Sequence, residues 1–380
     1  MSGAVRRPGL RVLRALVCGV LLATAALAAP APRAVAEPER STTQLTALLD
    51  RLQELYLQAE EATESYDEAK SQLKEQSGTA KRLDKQLAEE RIALAEAKAQ
   101  AGAIARQQYK DGSVEPYLNL MLSDTPEDLF SQSHILQRAA GTQAEVVERL
   151  KTGETRISTL NRAAQHSLDS SQNLAKQQRE AKQKVEDKLA NVEKIVAGLT
   201  GTELRELQRL EEAGIAKAQQ LFLGSNQLSS TDLAPSQAGA QAISFAYAQL
   251  GKPYVWGAEG PKSYDCSGLT SKAWADAGVT IPRTSEQQWK QLTRIPLSLL
   301  RPGDLVVYYE GASHVAIYIG NGKVIQAPRP GAVVKISPIA GNPILGAVRP
   351  DPDAGSMDEY VTPQAPDSAT DPTPIGDTSS

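Results

Sequence analysis

The run Tyr264-Asp265-Cys266-Ser267-Gly268-Leu269 decides how this chain is read. Asp265-Cys266-Ser267 opens a helix that runs to about Ala277, where Gly278 stops it. Cys266 therefore stands at a helix N-terminus. Unpaired backbone N–H groups and the helix dipole favour an anion there, so the thiol pKa is expected to fall. The same N–H groups can hydrogen-bond an oxyanion. Beyond the first few dozen residues Cys266 is the only cysteine, so it has no disulfide partner. The C-terminal region also has one histidine, His314, in Ser313-His314-Val315-Ala316-Ile317-Tyr318. A lone thiol and a lone imidazole in one domain indicate a nucleophile and its base. One His without a Cys cluster falls short of a metal-ligand set, so neither metal nor cofactor is expected.

The flanking segments give the domain its class. Ala240 to Leu250 reads as an amphipathic helix ended by Gly251, and Pro253 to Gly257 as a short extended run. Arg301-Pro302-Gly303-Asp304 is a turn before a strand at 305–309. A hairpin joins His314–Ile319 to Lys323–Ala327 through Gly320-Asn321-Gly322, and 333–336 and 344–348 read as further strands. Helices grouped before an antiparallel sheet make an α+β domain over 240–350. All three Trp lie inside it. The hairpin register bears on chemistry. A two-residue Asn-Gly turn would put Gln326 on the face opposite His314. A three-residue loop with a G1 bulge pairs Ala316 with Gln326, which then becomes a diagonal neighbour of His314. The Gln326 amide oxygen could accept the second imidazole proton and orient the ring.

The remainder of the chain is of a different kind. From Leu45 to Ile104 Leu, Ala, Ile and Tyr recur in steps of three and four without a Pro, and the other faces carry mostly Glu, Lys, Gln and Arg. That is a coiled-coil seam. Thr125-Pro126-Glu127-Asp128 starts a second helix whose looser seam, to Leu199, holds Gly153, Ser167, Ser171 and Lys188. The region 37–223 is thus expected to be a long coiled-coil hairpin. The apolar residues at its tip, among them Tyr117, Leu118, Met121, Leu122 and Phe130, fit either a small tip core or a docking surface. Residues 224–239 read as a flexible linker, and 351–380, acidic, Pro-rich and without Lys or Arg, as a disordered tail. Residues 1–36 read as a cleaved signal peptide, with four early Arg, an uncharged stretch and Ala34-Val35-Ala36; an uncleaved membrane anchor is the alternative. The product would be exported to the cell wall or secreted. The net charge of −4 gives no argument for nucleic acid.

Gly251-Lys252-Pro253-Tyr254-Val255-Trp256-Gly257, then Asp265-Cys266-Ser267-Gly268-Leu269, Pro282-Arg283-Thr284-Ser285, Arg301-Pro302-Gly303-Asp304-Leu305 and the run Ser313 to Gly320 closely resemble the NlpC/P60 family of cell-wall cysteine peptidases. The resemblance implies a papain-like fold and hydrolysis of peptidoglycan stem peptides, usually between D-γ-glutamate and a diamino acid such as meso-diaminopimelate. It implies Cys266 as nucleophile, His314 as base and Gln326 as the third polar residue. Tyr254, Asp265 and Ser267 match positions that line the substrate pocket and help hold the stem's free N-terminal amine. The third position is often His in the family, and Gln326 departs from that: it can orient His314 but lends no full charge. The N-terminal coiled coil is similar in arrangement to secreted hydrolases that separate daughter cells, and an ABC-transporter-like membrane complex is the partner type this implies. The helical hairpin is expected to restrain the enzyme until such a partner binds. An amidase or acyltransferase on the same fold, or a catalytically idle wall-binding scaffold, are the alternatives; the intact Cys266 and His314 argue against the last.

Overall fold

Long segments free of Pro and rich in Ala, Leu, Glu, Gln and Lys favour unbroken helix. The computed structural model accordingly has α1 at Thr42–Asp111 and α2 at Pro126–Ala197. It describes residues 40–111, 118, 120–123, 125–228 and 233–364. The expected signal peptide at 1–36 and the end of the tail lie outside these residues. At 70 residues α1 is roughly 105 Å long. Thr125 caps α2, accepting from the Asp128 N–H, with Pro126 in the first turn.

The two helices are antiparallel, and the small and polar residues of the second seam form their cross-contacts. Gly153 is buried beside Leu94, and a Cβ on it would stand 3.3 Å from Leu94 Cδ1. Gln76 Nε2 donates to Ser167 Oγ at 2.9 Å, and Lys188 Nζ to Gln58 Oε1 at 2.6 Å. A third helix, α3 (Gly201–Gly224), starts at a Thr200/Glu203 capping box. Leu45, Leu49, Leu52 and Leu55 of α1 pack there with Val192 and Leu207. At the far tip Met121, Leu122 and Phe130 are 85%, 74% and 70% exposed, so these residues do not close into a core.

The C-terminal domain contains α4 (Gln237–Tyr247), α5 (Cys266–Asp276) and α6 (Ser285–Gln291). Its six strands are β1 (Thr293–Ile295), β2 (Leu305–Tyr308), β3 (His314–Gly320), β4 (Lys323–Gln326), β5 (Lys335–Pro338) and β6 (Ile344–Arg349). They form one antiparallel sheet in the order β1-β6-β2-β3-β4-β5. The architecture is α+β. Leu305, Val307, Val315, Ile317 and Ile325 pack on one face with Ile243, Leu269 and Trp274 of α4 and α5. Val306, Tyr308, Ala316, Tyr318 and Val324 occupy the other face, which Phe222 of α3 helps to cover. Cover on both faces accounts for the unbroken apolar run of β3.

The hairpin corrects one expectation. Ile317 pairs with Ile325 and Gly320 with Lys323, leaving a two-residue Asn321-Gly322 turn with both residues at positive φ, 53° and 65°. The extra residue is taken up inside β3, where the register shifts between Tyr318 and Gly320. The bulge preserves the register that a three-residue loop was expected to give, so Gln326 and His314 still share a face.

The segments around the domain are tied down more than expected. Ser236 caps α4 and hydrogen-bonds Asp351. Arg301 binds the Asp351 carboxylate at 2.6 Å and the Ala354 carbonyl at 2.8 Å, and the Met357 N–H donates to the Pro235 carbonyl at 2.8 Å. The start of the acidic tail and the end of the linker therefore hold one another on the domain surface.

Candidate active site

α5 begins at Cys266 because Asp265 caps it, its Oδ1 accepting the Gly268 N–H at 2.6 Å. Gly268 follows from close packing: a Cβ there would lie 2.2 Å from the Ala258 carbonyl oxygen. β3 opens with His314 and β4 closes with Gln326. His314 Nε2 and Gln326 Oε1 are 2.6 Å apart. An amide oxygen only accepts, so Nε2 carries the proton and Nδ1 is left as the base. The Val315 N–H hydrogen-bonds the Cys266 sulfur, which places the thiol beside the histidine strand. The Tyr308 ring lies 5.6 Å from the imidazole. Tyr254 and Ser267 are buried around the same point, and the Tyr254 hydroxyl is pushed up by burial and by Cys266 and Glu60.

The helical region enters this site. Glu60, Glu64 and Asp67 of α1 are spaced to share one helix face and are all buried against the cleft. Glu60 Oε1 lies 3.2 Å from His314 Nδ1, without a well-directed hydrogen bond. Glu64 Oε1 accepts from Ser267 Oγ at 2.8 Å and lies 3.6 Å from Cys266 Sγ, while its Oε2 accepts the Ser285 N–H at 2.6 Å. Asp67 accepts from Arg283 Nη2 at 3.1 Å. Arg283 also holds Asp265, at 2.6 and 3.1 Å, and Ser267 Oγ at 2.8 Å. Asp265 is therefore occupied both as a helix cap and as an arginine partner. Tyr66 packs edge-on against Trp256 at 5.0 Å, and Lys70 donates to the Gly257 carbonyl at 3.2 Å, fastening α1 beside the cleft.

These carboxylates set the charge of the site. Burial, and then the neighbouring Asp265, push the Glu64 carboxyl up to about 7. The same two causes push Asp67 to about 8, Arg283 opposing them. The Cys266 thiol is pushed well up by burial, then by Glu64, Asp265 and Glu60. This reverses the expected effect of the helix N-terminus: in this arrangement the sulfur is held as thiol. Burial draws His314 down, but Glu60 and the hydrogen bonds outweigh it and its pKa rises. Among the described residues no group of His, Cys, Asp and Glu is arranged to hold a metal ion.

The candidate residues Cys266, His314, Gln326, Tyr254, Asp265 and Ser267 thus lie together. Glu60, Glu64 and Asp67 were missed because charged residues beside an apolar seam look like any solvated helix face. Arg283 and Ser285 fall in the run Pro282-Arg283-Thr284-Ser285, which reads as a loop until α1 is brought against it.

The NlpC/P60 family matches residues 251–347. A probable endopeptidase of Corynebacterium glutamicum is 50% identical over 95 residues, which cover 25% of this chain and 46% of that protein. Probable endopeptidase p60 of Listeria monocytogenes is 51% identical over 87 residues, 22% of this chain and 18% of that protein. The crystal structure of the NlpC/p60 domain of the peptidoglycan hydrolase SagA is 35% identical, covers 29% of this chain and 97% of its own, and has a TM-score of 0.28. The chain spans less than half the length of these curated relatives.

Proposed function

Because residues 251–347 place this chain in the NlpC/P60 family, we propose that it is an exported peptidoglycan endopeptidase, held latent by its own helical region. The bond cut is the amide between D-γ-glutamate and diaminopimelate in stem peptides. The observation that carries this reading is the contact of Gln326 Oε1 with His314 Nε2 at 2.6 Å, which leaves Nδ1 as the base, on a strand whose Val315 N–H holds the Cys266 sulfur.

The steps follow from that contact. With α1 withdrawn, His314 Nδ1 takes the thiol proton and the thiolate attacks the scissile carbonyl carbon. The imidazolium then protonates the leaving nitrogen, the C–N bond breaks, and a thioester remains on Cys266. His314 next deprotonates a water, which releases the acid product and regenerates the thiol. Gln326 holds the ring in place throughout. Asp265, Ser267 and Tyr254 stand on the acyl side, where the free amine of the stem would bind.

Glu60 and Glu64, seated on the base and the nucleophile, support latency. Activation requires a partner with greater affinity for the open form. A membrane-bound division complex of ABC-transporter type, gripping the exposed apolar tip of the helix pair, is the partner this reading assigns. The test digests purified peptidoglycan with the full chain, with Glu60→Ala/Glu64→Ala, and with that double variant carrying Cys266→Ala. Mass spectrometry should show new diaminopimelate amino termini, most abundant with the double variant and absent once Cys266 is removed. Products that persist without Cys266 would refute the mechanism.

A further inference from the structure

α1 serves as a ruler along the cleft. Asp67 lies at Arg283, Glu64 at Cys266 and Ser285, and Glu60 at His314. One turn further toward the N-terminus, about 6 Å along the axis, Tyr56 lies under Arg329, whose guanidinium carbon is 4.9 Å from the ring centroid. Arg329 follows Gln326 by three residues. It belongs to the catalytic domain but is claimed by the helical region, since Glu211 of α3 binds it with both oxygens, at 2.5 and 3.0 Å. Its Nε is buried and has no hydrogen-bond partner. Arg329, Gln326 and Lys335 line one side of a crevice of about 650 Å³, and Tyr56, Glu60 and Glu211 line the other. Lys335 stands opposite Gln326 in the sheet. Cations on the domain side thus face carboxylates on the helix side.

The position of Arg329 relative to the reacting groups gives it a direction. His314 delivers its proton to the leaving nitrogen, so the leaving residue occupies the His314 side of the thiol. Arg283 and Asp265 lie beyond Cys266 on the acyl side, and Arg329 lies beyond His314 at the opposite end of the ruler. We propose that Arg329 is a specificity residue that binds a carboxylate on the leaving residue of the substrate, and that Glu211 occupies its fork in the latent chain. This rests on the endopeptidase reading above and names the part of the substrate read there. Diaminopimelate differs from lysine by one carboxylate on its far end, the feature a planar two-pronged donor recognises best.

The experiment uses the full chain opened by Glu64→Ala and two soluble stems, L-alanyl-γ-D-glutamyl-diaminopimelate and the same peptide ending in lysine. The diaminopimelate stem is expected to be preferred by about tenfold or more in kcat/KM, mostly through KM. Arg329→Gln should reduce that ratio to near one; because it also breaks the pair with Glu211, the lysine rate should rise while the diaminopimelate rate gains less. Arg329→Lys, which keeps the charge but loses the fork, should retain part of the preference and serves if the glutamine variant does not fold. Glu211→Gln should raise both rates and leave the ratio intact. If Arg329→Gln also raises both rates with the ratio unchanged, Arg329 is only a latch and the proposal fails. Cleavage of neither stem by any variant would overturn the endopeptidase reading, and this inference with it.

Discussion

At the scale of single residues, the chemistry of the site rests on which imidazole nitrogen is free. Gln326 decides this, because its oxygen faces Nε2 at 2.6 Å and leaves Nδ1 as base. A neutral amide fixes ring and tautomer but does not stabilise the imidazolium as a carboxylate or second imidazole would. Gln326→Ala in the chain opened by Glu64→Ala is therefore expected to lower kcat about 10- to 100-fold, within the range for losing an orienting partner. Cys266→Ala and His314→Ala should abolish turnover. Equal losses in all three would mean that Gln326 takes part in proton transfer. Cys266 and His314 were legible as the single thiol and single imidazole of their domain, and Gln326 as the polar residue a register argument brought beside them. Glu60 and Glu64 were not legible, because what distinguishes them from the neighbouring Glu61 and Glu68 is the surface they meet, and that surface lies some 200 residues away in the chain.

At the scale of elements, two backbone devices position the residues. One is the bulge in β3, which lets a tight Asn321-Gly322 turn coexist with His314 and Gln326 on one face. The Gly-Asn-Gly run permitted either turn length. The apolar alternation around it fixed the pairing but could not say which strand absorbed the extra residue. The other device is the approach of α5 to the loop before it. At Gly268 a methyl group would sit 2.2 Å from the Ala258 carbonyl, and that backbone is itself held by the Asp265 N–H at 3.1 Å. Gly268→Ala is expected to cost about 1–3 kcal/mol, the usual range for overpacking, measured by urea denaturation. It should also displace the start of α5 and with it Cys266, so that activity falls even where the variant remains folded. A variant as stable and as active as wild type would show that the loop yields freely. The sequence displayed this glycine inside a motif, but the carbonyl it accommodates belongs to a loop whose path local propensities do not determine.

At the scale of the whole molecule, the helical region and the C-terminal α+β domain were both legible from periodicity and composition, and a restraining role was expected for the first. The point of contact was not. The proposed latency is a docking equilibrium between α1 and the cleft, and its pH dependence has a definite sign. In the docked form Glu64 is raised to about 7 and Asp67 to about 8. In solvent both return to the ordinary carboxylate range near 4. His314 and Cys266 are also raised while docked. The two carboxyls of α1 thus hold their protons to higher pH in the docked form than in the open one. By linkage, the stabilisation from protonation is fully present below the ordinary carboxylate range and is lost as pH rises through about 7–8. Docking should therefore be tightest below about pH 4 and loosen progressively up to about pH 8. The Ser285 amide, which donates to Glu64, reports it directly. Its hydrogen-exchange protection factor, corrected for the intrinsic rate at each pH, should fall on going from acid to alkaline solution. Glu64→Gln keeps an acceptor in place without a charge and mimics the protonated acid, so it should flatten that fall and deepen latency. Glu64→Ala should lower protection across the whole range and raise peptidoglycan hydrolysis. Protection that increases with pH in the wild-type chain would show that the docked carboxylates are ionised and held by Arg283, and the acid-tightened latch would have to be abandoned.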